Sequence, residues 1–331
     1  MRPVRVLVVG GAGYIGSVVG ARLLQEGHQV AVLDDLSTGH RDAVPEGATF
    51  FEASIHYPKV LHRSLEGVEA VLHFGARSQV GESTRIPEVY WQNNLGDTMT
   101  LLAAMRELGV RRLVFSSTAA VYGEPQRLPL DELHPTSPTS PYGNTKLAAD
   151  LMIRDECSAH QLAAVSLRYF NVAGAALGRG ERHQPETHLI PLLLEVALGG
   201  TLALTVHGTD YPTPDGTCIR DYIHVDDLAT AHLLALEATA GAEGRHLVYN
   251  LGNGRGFSVL EVVAAARRVT GVPIEVAFGP RRPGDPAVLV ASSELARREL
   301  GWEPRRPSLE GMVADALQER RSRRSDGPGA S

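Results

Sequence analysis

Tyr142 and Lys146 stand four residues apart in the run Pro141, Tyr142, Gly143, Asn144, Thr145, Lys146, a spacing that puts both side chains on one face of a helix. A phenol ordinarily titrates near ~10, so it accepts a proton near neutrality only where cations favour its phenolate. An ammonium group on the same face is one such cation. By itself the pair also suits an ordinary amphipathic helix; its company turns it toward chemistry. An apolar segment, Leu113 to Ser116, leads into Ser116, Ser117, Thr118, Ala119, Ala120, Val121, Tyr122, Gly123. This carries hydroxyls to the carboxyl edge of a sheet, where ligands of open α/β folds bind. Thr118 can hydrogen-bond the substrate oxygen whose proton Tyr142 takes.

A second constellation opens the chain. The apolar strand Val4 to Val9 runs directly into Gly10, Gly11, Ala12, Gly13, Tyr14, Ile15, Gly16, and a helical pattern follows. Gly10 permits a tight turn, Gly13 lets a pyrophosphate approach backbone N–H groups at the helix N-terminus, and Gly16 lets the helix pack on the strand. The next strand ends at Asp34, where a carboxylate can accept bonds from ribose hydroxyls. Asp34 and Asp35 would repel a 2'-phosphate, and the nearest arginine is Arg41. The expected dinucleotide is therefore NAD rather than NADP, and its positive nicotinamide ring joins Lys146 in favouring the Tyr142 phenolate.

These residues need elements to hold them. Val4 to Val9, Gln29 to Leu33, Ala70 to Phe74, Leu113 to Ser116 and Ala164 to Phe170 read as strands buried on both faces, and Ile15 to Glu26 and Thr98 to Leu108 carry the helical period. Strand and helix in turn imply an α/β fold, a doubly wound parallel sheet of the Rossmann type. After about Val172 the character changes. Gly174 to Pro191 and Asp210 to Gly216 read as loops over a ligand. Helical pattern returns at Asp226 to Glu237, Val259 to Thr270 and Leu309 to Arg320, with a strand at His246 to Leu251. The expected organisation is a dinucleotide-binding domain over 1–171, with 225–251 packing on it, and a smaller, interleaved C-terminal substrate-binding domain over 172–331. The segment after Glu319 reads as a solvated, disordered end.

The 331 residues are 43% hydrophobic, enough for a sizeable core, and the net charge of -6 offers no general attraction to nucleic acid or acidic membranes. An anionic ligand must be met by a local cluster of Arg and Lys. Cys157 and Cys218 have neither redox nor metal-ligand spacing, and no metal site is expected. The apolar stretch Leu189 to Leu198 is broken by Glu195 and too short for a membrane span, and the chain enters a strand at once, leaving no room for a leader. A cytoplasmic location is expected, with no nucleic-acid or membrane partner.

Together these residues resemble the extended short-chain dehydrogenase/reductase superfamily and, within it, the UDP-glucose (galactose) 4-epimerase family. The resemblance spans nearly the whole chain: Gly10 to Gly16, LDDLSTG from Leu33 to Gly39, HFGARSQVGES from His73 to Ser83, Asn93 and Asn94, Ser116 to Gly123, Tyr142 to Lys146, RYFN from Arg168 to Asn171, DYPT from Asp210 to Thr213, RDYIHVDD from Arg220 to Asp227, and Arg282, Pro283, Gly284, Asp285. It implies Tyr142 as general base and later acid, Lys146 as its electrostatic partner and a ribose ligand, and Thr118 as the assisting hydroxyl. It implies that NAD is held by Gly10, Gly13, Tyr14, Ile15, Gly16, Asp34, Asp35, Ser37, Thr38, Gly39, Ser54, Ile55, Phe74, Gly75, Ala76, Asn93, Ser116, Tyr142, Lys146 and Tyr169. A UDP-sugar would meet Thr118, Asn171, His188, Leu189, Arg220, Arg282, Asp285 and Leu289, with the two arginines as charge partners of its diphosphate, since guanidinium grips phosphate bidentately. The implied reaction is reversible oxidation at C4 of a UDP-hexose through a transient 4-keto sugar, in a homodimer paired through Trp91 to Leu108 and Tyr142 to Ser158.

Some positions depart from that family. Ser54 stands where an Asp usually helps fix the adenine, Ser78 replaces a Lys near the cofactor pyrophosphate, Thr118 replaces Ser, and Val172 stands where Pro is frequent. Leu289 occupies a place often held by Tyr, and a non-aromatic residue there leaves room for an N-acetyl group. Ala119 and Ala120 lack the acid and base that a 4,6-dehydratase of the same fold requires. Two alternatives stay open: a 4-epimerase for another UDP-sugar, a pentose or uronate, and a non-catalytic NAD sensor, which would normally have lost Tyr142 or Lys146.

Overall fold

A computed structural model describes residues 2–200, 203–282 and 284–325. Seven parallel strands form the central sheet: β1 (Arg5–Val9), β2 (Gln29–Asp34), β3 (Thr49–Glu52), β4 (Ala70–His73), β5 (Arg112–Thr118), β6 (Ala163–Tyr169) and, at the far edge, His246–Leu251. Their spatial order is β3, β2, β1, β4, β5, β6, then His246–Leu251. Val9 lies opposite Leu33 on one side and His73 on the other. The strand order reverses between β1 and β4, and the crevice of a doubly wound sheet opens at such a point, beyond the carboxyl ends of the strands.

Alternation along each strand splits the core into two layers. Val6, Val8, Val30, Val32, Leu72 and Val114 pack with the helices Tyr14–Gln25 and Val225–Ala238. Leu7, Val9, Ala31, Leu33, Val71 and Phe115 pack on the other face with Pro58–Leu65, Asp97–Glu107 and Pro141–His160. Strands buried on both faces account for the continuous apolar runs in the sequence. A separate core gathers Ile190, Leu193, Tyr222, Phe257, Val262, Met312 and Val313 beneath the helices Leu189–Ala197, Val259–Thr270 and Leu309–Ser325.

The two parts are stitched together by chain crossings. Buried Asp221 accepts the backbone N–H groups of Asn253, Gly254 and Ala291 at 2.8, 3.0 and 3.1 Å. Fully buried Trp302, late in the chain, returns to the core on the central sheet and donates its indole N–H to the Asp227 carbonyl at 2.9 Å. Three details differ from the sequence reading. β3 is a short, partly exposed edge strand with little apolar signal. The stretch read as a loop over Gly174 to Pro191 contains two paired two-residue strands, Ala175–Ala176 and Arg179–Gly180, and the start of a helix at Leu189. The end read as disordered is helical through Ser325, while residues 326–331 lie outside the described residues. No helix of the described residues is long and apolar enough to cross a membrane.

Candidate active site

A cleft of about 520 Å³ opens at the switch point. The glycine turn forms its floor, and each glycine has a distinct reason to be there. Gly10 has φ +76, and a Cβ on it would sit 2.6 Å from the backbone nitrogen of Gly75 in the loop after β4. A Cβ on Gly16 would sit 2.3 Å from the Gly10 carbonyl oxygen, so the helix packs against its own turn only without a side chain. A Cβ on Gly13 would meet nothing nearer than 3.4 Å. The space over Gly13, at the N-terminus of helix Tyr14–Gln25, is left open by the protein and suits an anion.

Asp34 ends β2 on the cleft wall, and its carboxylate is already engaged on the inner side. Its Oδ2 accepts from Ala12 N–H and its Oδ1 from Leu36 N–H, both at 2.9 Å. Burial raises its pKa, opposed by those two bonds. Asp35, Ser37, Thr38, Ser54 and Ile55 continue the wall. Arg41 is turned away onto Glu52 and the Phe50 ring, and among the described residues no guanidinium pairs with Asp34 or Asp35. The loop after β4 brings Phe74, Gly75 and Ala76 to the cleft and is tied down by Asn93 and Asn94, whose side-chain carbonyls accept from Arg77 N–H at 3.1 and 2.8 Å.

Tyr142 and Lys146 lie in the first turns of helix Pro141–His160, which Ser140 caps by accepting from Gly143 N–H at 3.2 Å. Burial raises the Tyr142 phenol, and the Thr118 hydroxyl within hydrogen-bonding reach pulls it down. Thr118 Oγ1 accepts from Ala120 N–H at 3.1 Å, which leaves its own proton for the phenol oxygen. Lys146 donates to the Ser116 carbonyl at 2.9 Å and lies over the Phe115 ring, 4.7 Å from its centroid. Burial lowers its pKa to about 8. Behind it, Asp150 of the same helix accepts from Ser117 of β5 at 3.0 Å and from Arg168 of β6 at 3.0 Å, a buried ion pair between helix and sheet. The Ser116 and Tyr169 hydroxyls hydrogen-bond each other on the wall.

Across the cleft stand Asn171, Arg220, Asp285, Leu289 and His188. Arg220 pairs with Asp285 at 3.1 Å, and the short strand Val288–Leu289 runs parallel beside Ile219–His224 with Leu289 opposite Arg220. Three expected residues do not line the cleft. Gly39 packs against Ala12 and Asp34, where a Cβ would lie 2.8 Å from Asp34 Oδ1. Leu189 begins a helix and packs on the core of the second part. Arg282 is exposed, and its neighbour Pro283 lies outside the described residues.

Several cleft residues were not anticipated from the sequence: Arg77, Asp97, Ala119, Ala120, Phe170, Glu181 and His183 among them. Asp97 pairs with His56 at 2.9 Å and accepts from Asn93 at 3.1 Å; burial raises it to about 6. Arg77 follows the HFGA stretch directly, and its guanidinium lies 3.4 Å from Glu82. Cys157 and Cys218 are buried and free.

Residues 6–252 match the model of the NAD dependent epimerase/dehydratase family. A UDP-glucose 4-epimerase of Streptomyces lividans is 58% identical over 315 residues, covering 94% of each chain. The crystal structure of UDP-glucose 4-epimerase from Brucella ovis in complex with NAD superposes with a TM-score of 0.91 at 46% identity, covering 95% of this chain and 97% of that one. A UDP-glucose-4-epimerase from Stenotrophomonas maltophila with bound NAD and formylated UDP-arabinopyranose gives 0.93 at 40% identity, covering 98% and 100%.

Proposed function

The chain belongs to the NAD dependent epimerase/dehydratase family, and from that premise we propose that it inverts C4 of a UDP-hexose, interconverting UDP-glucose and UDP-galactose. The observation that carries the reading is the convergence of Tyr142, Thr118 and Lys146 on one cleft with the open glycine turn at its other end. The residues fit NAD: the turn at Gly13, where a Cβ would meet nothing nearer than 3.4 Å, would hold the pyrophosphate, and Asp34 and Asp35 would hold an unphosphorylated ribose. When bound, NAD takes up and returns the hydrogen of C4 with its electron pair, and its oxidised ring adds positive charge near the phenol.

The chain's own residues handle the proton. Tyr142 removes it from the 4'-hydroxyl and later returns it to the 4-keto oxygen, so one phenol serves as base and then acid. Thr118 donates to the phenolate and lowers the cost of forming it. Lys146 contributes a buried positive charge one helical turn away and holds the helix to the end of β5 through Ser116. The keto sugar must present both faces between the two transfers. Asn171 and Arg220 anchor the diphosphate and Asp285 the uridine ribose while the hexose turns. The part built on the seven-stranded sheet holds NAD, and the part that includes the helices Leu189–Ala197, Val259–Thr270 and Leu309–Ser325 closes on the nucleotide sugar. Leu289 leaves room on the sugar's wall for an N-acetyl group, so UDP-GlcNAc and UDP-GalNAc are substrates beside the parent hexoses. A homodimer is supported by Trp91, Met99 and Leu151, exposed at 41%, 59% and 43% on neighbouring helical segments.

The deciding experiment uses Tyr142→Phe, which keeps the ring and removes the acid–base group. Purified parent protein is expected to release NAD and to equilibrate UDP-galactose with UDP-glucose, and the variant to lose about 10²–10⁴-fold in kcat with NAD retained. Equal rates in parent and variant, or no nicotinamide in the parent, sink the proposal.

A further inference from the structure

A cluster of metal-ligating side chains lies on the wall of the cleft and takes no part in the proton chemistry above. Glu181, His183 and His188 each contribute one donor atom, and the three atoms lie within 4.8 Å of one another. His183 Nδ1 is 2.5 Å from Glu181 Oε1, and His188 Nδ1 is 3.9 Å from Glu181 Oε2. The two imidazole rings are tilted by 47° with centroids 5.6 Å apart. We propose that Glu181, His183 and His188 form a binding site for a first-row divalent transition-metal ion, Zn²⁺ above all, with its remaining coordination positions open to the cleft.

The backbone prepares these donors. Glu181 Oε1 accepts the N–H groups of Arg182 and His183 at 2.8 and 3.0 Å, which folds the glutamate back over the histidine that follows it. Glu186 repeats the device, accepting from Thr187 and His188 N–H, both at 2.8 Å. Glu186 Oε1 also lies 2.8 Å from His188 Nδ1, so that nitrogen stands between two carboxylates, and a metal ion bound to it replaces the Glu186 hydrogen bond. Its Oε2 is buried without a hydrogen-bond partner, with the Arg320 guanidinium 3.8 Å away. The segment is anchored at its root, where Tyr14 donates to the Gly174 carbonyl at 2.6 Å.

Two imidazoles and one carboxylate are the donor set of three-ligand zinc sites, which keep a fourth position for water or a ligand oxygen. Oxygen-seeking Mg²⁺ and Ca²⁺ are disfavoured by two nitrogen donors. Tetrahedral bonds of about 2.0–2.2 Å set donors roughly 3.4 Å apart, so the Glu181–His183 hydrogen bond at 2.5 Å must open while the widest separation, up to 4.8 Å, closes. No bond other than the coordinate bonds forms, and protons on the ligating nitrogens leave to solvent.

The test uses the full-length protein, stripped with a chelator and titrated calorimetrically with Zn²⁺, and with Co²⁺ followed by visible absorption. One saturable equivalent per chain is expected, with the intense visible bands of a four-coordinate Co²⁺ site. His183→Ala and Glu181→Gln should each weaken binding at least tenfold, whereas His160→Ala, on the exposed end of its helix, should not. Circular dichroism of each variant checks the fold, and the Co²⁺ spectrum of the parent stands if a variant fails to fold. Absence of saturable Zn²⁺ binding, equal binding by His183→Ala, or loss in His160→Ala alone overturns the site. Displacement of Zn²⁺ by equimolar Mg²⁺ overturns the donor assignment.

Discussion

Lys146 delivers its ammonium group to the carbonyl of Ser116 at 2.9 Å, so the lysine of the Tyr142 face is bonded to the end of β5 and not to the phenol one turn away. The sheet edge that carries Thr118 and the helix that carries Tyr142 are thereby tied by Lys146, beside the Ser117–Asp150 bond one turn further on. Lys146 therefore stands as a buried amine one turn from the phenol, tied to the strand and not to the tyrosine. Among the groups acting on Tyr142, burial dominates and only Thr118 opposes it.

From this follows a pH dependence. Lys146 sits at about 8 because burial disfavours its charged form. It is charged below that pH and neutral above it. As pH rises through about 8 the phenolate loses its fixed positive neighbour, and kcat is expected to fall along that limb. Lys146→Met should lower kcat by about 10²-fold and erase the limb. A limb that survives in the variant refutes the assignment.

The glycine turn makes two neighbouring substitutions behave differently. Gly16→Ala drives a Cβ to 2.3 Å from the Gly10 carbonyl oxygen, and overpacking of this kind costs about 1–3 kcal/mol. Gly13→Ala meets no atom nearer than 3.4 Å and has an extended backbone that alanine adopts freely. Both variants should lose NAD at least tenfold in affinity, by equilibrium dialysis. Only Gly16→Ala should lower the melting temperature of the stripped protein.

Acid should unfold the chain in part through two buried histidines. Burial holds His73 at about 3 and His232 at about 4. Each stays neutral in the folded chain while the unfolded chain takes up a proton below about 6.5. Their contribution is therefore complete above about 6.5 and is lost as pH falls toward 4 and 3. Each adds up to about 1.4 kcal/mol per pH unit to the slope between those limits. His232 rests on the Phe74 ring with its Nε2 unpartnered, so His232→Phe should fold and lessen the slope by about one proton, measured by urea unfolding between pH 6 and 5. An unchanged slope would show that His232 is protonated in the folded state.

Sugar choice should respond to Leu289, whose position opposite Arg220 is fixed by strand pairing. Leu289→Tyr is expected to lower kcat/KM for UDP-GalNAc at least tenfold more than for UDP-galactose. Equal effects on both, or no N-acetyl turnover in the parent, would remove Leu289 as the determinant.

What the sequence revealed and what it hid divide along sequence distance. The β1 run, the glycine turn and the Tyr142–Lys146 face are local patterns in which period and spacing carry the information, and their elements appear within a residue or two of the expected limits. β3 escaped notice because four residues, TFFE, on a half-exposed edge carry too little periodicity. Asp97 and Arg77 reach the cleft through Asn93 and Asn94, a contact between segments that neither segment announces. Glu181 and His183 read as loop residues, and His188 reads as a contact of the UDP-sugar through the family resemblance. Their spacing was legible, but only the paired strands at 175–180 show that the three side chains meet on the cleft wall.

The strand His246–Leu251, which closes the sheet beside β6, has a consequence for biosynthesis. While the chain leaves the ribosome, the β6 edge offers unpaired backbone groups until Leu251 has emerged. Such an edge is a template for association with other nascent chains. A fragment cut after Asn171 would carry the whole glycine turn and the Tyr142 helix and still present that open flank. Expression of the isolated first 171 residues should yield aggregates, whereas fragments that supply 246–251 in trans should rescue it.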